Sequence, residues 1–178
     1  APFEAAPQPE PSRPELPTSW TEHPAGLLTA LQDVMQVTDN SSLRYALGCV
    51  QLNGQDGTLA ATDGRQVLTH AGWQFGFTDE ILVPATKVFG CKEFAAANSV
   101  RIGRTEQQLV VQIDAWKSFL TLNRTGRFPG IADLLAAVEQ APTRLVLQRH
   151  DREFLVDNLP RLPGGAEDSR EVTVELNG

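Results

Sequence analysis

Thr58-Leu59-Ala60-Ala61-Thr62-Asp63-Gly64-Arg65-Gln66-Val67-Leu68-Thr69-His70 carries two extended runs around one tight turn. Thr58 to Ala61 reads as a strand, Thr62-Asp63-Gly64 reverses the chain, and Arg65 to Ala71 reads as the returning strand. The turn chemistry is specific, because glycine accepts positive φ and an aspartate bonds the backbone that follows it. Upstream, Arg44 to Leu52 is a further apolar run. Its in-out alternation slips at Cys49-Val50, which predicts a bulge or a strand buried on both faces. Asn53-Gly54 and Asp56-Gly57 lie between this run and Thr58, and both are hairpin signals. Three antiparallel strands joined by short turns make a meander.

Before the meander, Leu27, Leu28, Leu31, Val34 and Met35 recur at the spacing of one helix face, and Pro24 suits that helix's first turn. Asp39-Asn40-Ser41-Ser42 ends it in a polar turn. After the meander, Ile81-Leu82-Val83 is a short strand, and Pro84 opens a second predicted helix with Val88, Phe89, Cys91, Phe94 and Ala95 inward. Val100 to Arg104, Leu109 to Ile113 and Lys117 to Leu122 then alternate as three more strands. The order is helix, meander, helix, meander. This is an α+β domain built from two helix-plus-antiparallel-meander units.

Residues 1–19 hold six of the twelve prolines and read as a proline-rich linker or tail. The domain is expected over 20–136. A third copy of the pattern starts at Thr143, with Leu145 and Leu147 alternating, a short helix over Asp151 to Leu159, and a strand through Val172, Val174 and Leu176. A strand, a helix and one partner strand cannot bury a core alone, so 143–178 is expected to dock on the first domain, pair with another chain, or be the start of a next domain.

The 178 residues are 41% hydrophobic and carry a net charge of −7. That balance argues against a general nucleic-acid coat, although a protein can still meet DNA through one small surface. No apolar run approaches the ~18 residues of a membrane span. Cys49 and Cys91 lack any ligand spacing and sit in apolar stretches, so they are expected to be buried, reduced thiols, with no metal and no cofactor. A cytoplasmic protein fits best. His23, His70 and His150 are scattered, and adjacent residues such as His150-Asp151 do not face each other on a helix. No nucleophile-elbow, phosphate-loop or dinucleotide glycine pattern occurs. The chain therefore does not read as an enzyme. Trp20, Trp73 and Trp116 read as packing residues, and the apolar loop Trp73 to Phe77 as a cover over the core or a docking surface.

Four segments in order resemble the bacterial DNA sliding clamp, the DNA polymerase III beta-subunit family. Leu43-Arg44-Tyr45-Ala46-Leu47-Gly48-Cys49-Val50 is similar to its R-Y-x-L-x-G-V strand, and Leu59-Ala60-Ala61-Thr62-Asp63-Gly64-Arg65 to its A-T-D-G-x-R hairpin. Ile81-Leu82-Val83-Pro84 matches I-V-P-x-K, and Gly126-Arg127-Phe128-Pro129 matches G-R-F-P-D-Y. The resemblance covers roughly 16–136, as the family's middle domain, and 143–178 looks like the start of its third.

The resemblance implies a DNA-clamp fold and a non-catalytic replication processivity factor. Three such domains per chain would close into a homodimeric ring around double-stranded DNA. DNA polymerase and other clamp-binding proteins would dock by short peptides. On that resemblance the peptide cleft falls on Thr62, Gly64, Arg65, Gln66 and Val67, with Pro129 and Leu134. The family's order after the glycine is a bulky residue, Arg, then Leu; here Arg65 comes one position early and Val67 is shorter. Lys87 and Lys92 are the cations the predicted second helix offers to DNA. The first helix, from Thr21 to Val37, offers none. An alternative is a clamp-like protein-interaction module that no longer encircles DNA. A small hydrolase or nuclease is a third reading, which the lack of clustered carboxylates or a Cys/His pair disfavours.

Overall fold

The computed structural model describes residues 14–39, 41, 45–94, 96–140, 142, 146–158 and 161, without the side chains of 133, 134 and 139. The chain divides into two compact units, Ala1–Ile131 and Ala132–Gly178.

In the first unit, β1 (Trp20–Pro24) leads into α1 (Gly26–Gln36). A meander follows: β2 (Cys49–Asn53), β3 (Thr58–Thr62) and β4 (Val67–His70). Then come β5 (Glu80–Pro84), two 3-10 turns at Val88–Gly90 and Lys92–Phe94, and a second meander of β6 (Ser99–Arg104), β7 (Gln108–Ile113) and β8 (Trp116–Thr121). The two four-stranded antiparallel sheets run β4-β3-β2-β5 and β1-β6-β7-β8.

Each meander thus takes its fourth strand from the other half of the unit. The two exchanged ladders match: Pro84 stands opposite Cys49 and Glu80 opposite Asn53, while Pro24 stands opposite Ser99 and Trp20 opposite Gly103. Both exchanged strands end in proline, and in the β2–β5 ladder the reason is visible. Ala85 N–H donates to Gly48 O at 2.9 Å and Gly54 N–H to Asp79 O at 3.0 Å, which fixes the hydrogen-bonding phase of the β2–β5 ladder. In that phase Pro84 turns its nitrogen away from β2, so no ladder bond is lost.

The inward faces alternate as β structure requires. Val50, Leu52, Leu59, Ala61, Ile81 and Val83 meet Val100, Ile102, Leu109, Val111 and Ile113 in one apolar cluster, to which α1 adds Leu27, Leu31 and Val34. Helix α1 has no side-chain cap at Ala25 and no acidic residue in its first turn. Packing holds it instead, since each fully buried leucine contributes roughly 1.5–3 kcal/mol.

Several expectations change. Pro24 closes a strand and does not open a helix, and that strand, β1, is absent from the sequence reading. The predicted second helix is two 3-10 turns. Phe89 and Phe94 are buried as expected, Val88 is half-buried, Cys91 is exposed, and Ala95 lies outside the described residues. The spacing of these residues satisfies a helix, but Gly90 interrupts it, and two large phenyl rings fill the space that a helical ridge would fill. There is no bulge at Cys49-Val50. A turn, with Cys49 N–H donating to Ala46 O at 3.0 Å, precedes β2, and both Cys49 and Val50 are buried. The end of the proline-rich segment is packed: Pro17 is buried, and a Cβ on Gly103 would lie 2.6 Å from it. The loop from Trp73 to Phe77 covers the core, with Phe75 buried and Trp73 and Phe77 against the cluster.

The second unit contains α2 (Ala132–Glu139) and α3 (Arg149–Asn158) among its described residues. The helix predicted from Asp151 therefore begins two residues earlier, steadied by Arg149 Nε donating to Glu153 at 2.8 Å. Phe154 and Val156 are exposed on it. Leu145 and the predicted strand through Val172 to Leu176 lie outside the described residues, and Leu147 is in irregular backbone.

Candidate functional site

The hairpin between β3 and β4 is built from short polar side chains bonding their own backbone. Thr62 is buried; its Oγ1 donates to Gln66 O at 2.6 Å and accepts from Gly64 N–H at 3.0 Å. Asp63 Oδ1 accepts from Arg65 N–H at 2.8 Å and Gln66 N–H at 2.9 Å, and Oδ2 from Gln66 Nε2 at 3.1 Å. These bonds, from Gln66 first and then Arg65, hold the Asp63 carboxyl below the usual carboxylate range. Gly64 has φ +90°, which only glycine adopts cheaply. Asp63 is thus spent on the turn. Arg65 and Gln66 are exposed and Val67 is half-buried, so these side chains are the ones presented to a partner.

Behind the hairpin, Leu47 is buried close to Gly64. The stretch around Leu47 also carries the segment Gly126 to Pro129. Ala46 N–H donates to Arg127 O at 3.0 Å, and Gly126 N–H to Asn123 Oδ1 at 2.7 Å. Asn123 Nδ2 points to Cys49 Sγ at 3.4 Å. A Cβ on Gly126 would fall 2.7 Å from Ala46 Cβ, which is why this position is glycine. Hairpin and Gly126–Pro129 segment are therefore both braced on residues 46–49. Pro129 is half-buried in the first unit. Leu134 falls on α2 of the second unit with its side chain outside the described residues. Nothing in the sequence reading singled out Ala46, Leu47 or Asn123 as supports. The amide of Asn123 directly after the predicted strand Lys117 to Leu122 was the available signal.

The predicted DNA-facing lysines, Lys87 and Lys92, are exposed around the 3-10 turns. Helix α1 shows Thr29, Gln32 and Gln36 to solvent, and its half-buried Asp33 lies 3.7 Å from His70 Nε2.

His23 is buried between Trp73 and Phe75, with no partner for Nε2 among the described residues, and burial lowers its pKa. His150 does meet its neighbour Asp151, at 3.1 Å, contrary to expectation, on an exposed helix surface. Among the described residues no three His, Cys, Asp or Glu side chains gather where they could hold a metal, and no helix is long and apolar enough to cross a membrane.

A twice-repeated strand, helical segment and meander, with the first strands exchanged between two sheets, defines a DNA-clamp domain. Its solved likenesses are bacterial sliding clamps. DNA polymerase III subunit beta from Pseudomonas aeruginosa matches with TM-score 0.56 and 24% identity, over 85% of this chain and 41% of that one. The same subunit from Borrelia burgdorferi, solved in complex with a natural product, matches with TM-score 0.63 and 15% identity, over 85% and 39%. The Caulobacter crescentus pol III beta matches with TM-score 0.51 and 21% identity, over 62% and 32%. The fold is that of the bacterial sliding clamp, and the chain spans about two fifths or less of the length of these proteins. No family model matches the sequence, and no curated protein matches it closely.

Proposed function

We propose that this chain is a non-catalytic part of a DNA sliding clamp, a processivity factor that tethers DNA polymerase and other partners to DNA. The observation that carries the reading is the strand-exchanged double meander, together with its likeness in fold to DNA polymerase III subunit beta structures. Its first unit corresponds to the family's middle domain and 143–178 to the start of the third. In the longest native form, domains of this kind close as a homodimeric ring in the cytoplasm. Lys87 and Lys92 face double-stranded DNA in the hole. Partner peptides dock on Thr62, Gly64, Arg65, Gln66 and Val67, with Pro129 and Leu134 as the further contributors that the resemblance implies. The self-bonded turn supports this role, because a wall fixed by its own backbone loses little entropy when a peptide arrives.

The test is light scattering behind size-exclusion chromatography on the longest native form, with closed circular and linearised DNA. A dimer-sized particle retained on circles and lost from linear DNA is the expected result. A monomer indifferent to DNA would sink the ring.

One observation favours the second reading, a clamp-like module that binds only proteins. The exposed face of α1 is uncharged apart from Asp33, and the helix expected to carry Lys87 and Lys92 is replaced by 3-10 turns. Such a face gives almost none of the counterion release that holds proteins on DNA. A salt-independent absence of DNA binding, with peptide binding kept, is the outcome that selects it.

A further inference from the structure

The two sheets meet along β5 and β8, and the ladder phases show how little joins them. Odd-numbered residues of β5 bond to β2, so Glu80 and Leu82 turn their backbone groups toward β8. On β8, Leu122 N–H donates to Gln107 O at 2.9 Å, which turns Thr121 and Asn123 toward β5. Across this seam one backbone hydrogen bond is made among the described residues, Asn123 N–H to Leu82 O at 2.8 Å. The Glu80 N–H and C=O and the Leu82 N–H face the seam without a backbone partner among the described residues.

The seam opens into a groove of about 520 Å³ lined by Glu80, Leu82, Asn123, Arg104, Arg124 and Arg127. Its charges are sorted. Glu80 accepts from Gln51 Nε2 at 3.1 Å and Asn53 Nδ2 at 3.3 Å. Arg104 pairs with Asp79 over the Phe77 ring. Arg124 donates to the Glu106 carbonyl, which leaves its positive charge uncompensated, and exposed Arg127 has no ion-pair partner among the described residues.

We infer that this seam is a second docking site, distinct from the β3–β4 hairpin, for an extended acidic segment of a partner protein. The segment adds as a short strand along the Glu80 edge of β5 and sets its carboxylates against Arg124 and Arg127. An unpaired strand edge supplies main-chain bonds to any extended peptide, and the guanidiniums select the acidic one. This site does not depend on ring closure or on DNA.

The experiment uses the full chain labelled with nitrogen-15 and a capped hexapeptide alternating Val and Glu as probe. Amide resonances of Glu80 and Leu82 are expected to shift and their hydrogen exchange to slow, while the hairpin amides stay in place. The double variant Arg124→Glu with Arg127→Glu is expected to weaken binding at least tenfold, and Arg65→Glu to leave it unchanged. Both replace exposed side chains, and a retained wild-type spectrum elsewhere shows that the variants fold. A hexapeptide alternating Val and Lys that binds equally well, shifts confined to the hairpin, or no shift at millimolar probe would overturn the inference.

Discussion

The two halves of the first unit share a topology and fill it differently. The first half covers its sheets with α1, a helix of eleven residues that buries Leu27, Leu28, Ala30, Leu31, Val34 and Met35. The second half has two three-residue turns in the same place and buries Phe89 and Phe94. A fold of this kind requires apolar volume above the sheets at that position, and two phenyl rings on irregular backbone supply it as well as a helical ridge does. What the second half gives up is the helix surface, and with it a regular array for charges.

Large-to-small changes test that equivalence most strongly. Phe94→Ala or Phe89→Ala is expected to cost about 4 kcal/mol, and Leu31→Ala in the helix about 3 kcal/mol, read as a lower urea midpoint with unchanged slope. A phenylalanine change that costs under a third of the leucine change would mean that the 3-10 segment is not part of the core. Asn123 reaches the first half at Cys49 and bonds Leu82 and Gly126 within its own. Its replacement by Ala is expected to cost about 1–2 kcal/mol, since it strands the Gly126 N–H and removes the donor to Cys49 Sγ, while the backbone bond to Leu82 stays.

A smaller contrast is chemical. His23 and Val83 each precede the closing proline of an exchanged strand, and one of them titrates. Burial depresses the folded pKa of His23 below the ordinary histidine value of 6.5. The unfolded chain therefore binds the proton first as pH falls, and the stability His23 permits at neutral pH is lost from about 6.5 downward. His23→Val, which copies the other half, is expected to flatten urea midpoints between pH 7 and 5. An unchanged slope would assign the acid sensitivity elsewhere. Asp63 acts lower, because its depressed pKa gives stability that is present above 3.8 and lost only as pH falls below that value. Asp63→Asn is expected to lower the midpoint slightly at pH 5, where the carboxylate is ionised, and by less as pH falls below 3.8. The smallest effect belongs to Gln36→Lys on the exposed face of α1, expected within about 0.5 kcal/mol in stability. Tighter DNA retention by that variant would show that this face meets DNA.

Seven of the eight strands among the described residues were legible in the sequence, because Val, Ile and Leu alternate in them between Gly- and Asp-bearing turns. The remaining one, β1, was not. Trp20-Thr21-Glu22-His23-Pro24 buries one polar residue and carries no apolar alternation, so only its ladder with β6 makes it a strand. The second helix was over-read because 3.6-residue spacing cannot distinguish one continuous helix from two turns broken at Gly90. At the candidate site, Thr62 to Gly64 announced a turn by their chemistry. Which side chains brace it could not be read, because Leu47, Asn123 and Gly126 come together only when the sheets form.

Strand exchange also bears on how the chain is made. Trp20 emerges from the ribosome long before Gly103, its ladder partner, and β5 completes a sheet whose other strands were made earlier. During synthesis the first meander can take up β5 as soon as it appears, whereas β1 waits as an unmatched edge until β6 arrives. Contacts of such long sequence separation slow folding and leave strand edges open to neighbouring nascent chains. The polar composition of Trp20 to Pro24, which hid this strand from a reading of hydrophobic pattern, is what keeps it soluble during that wait.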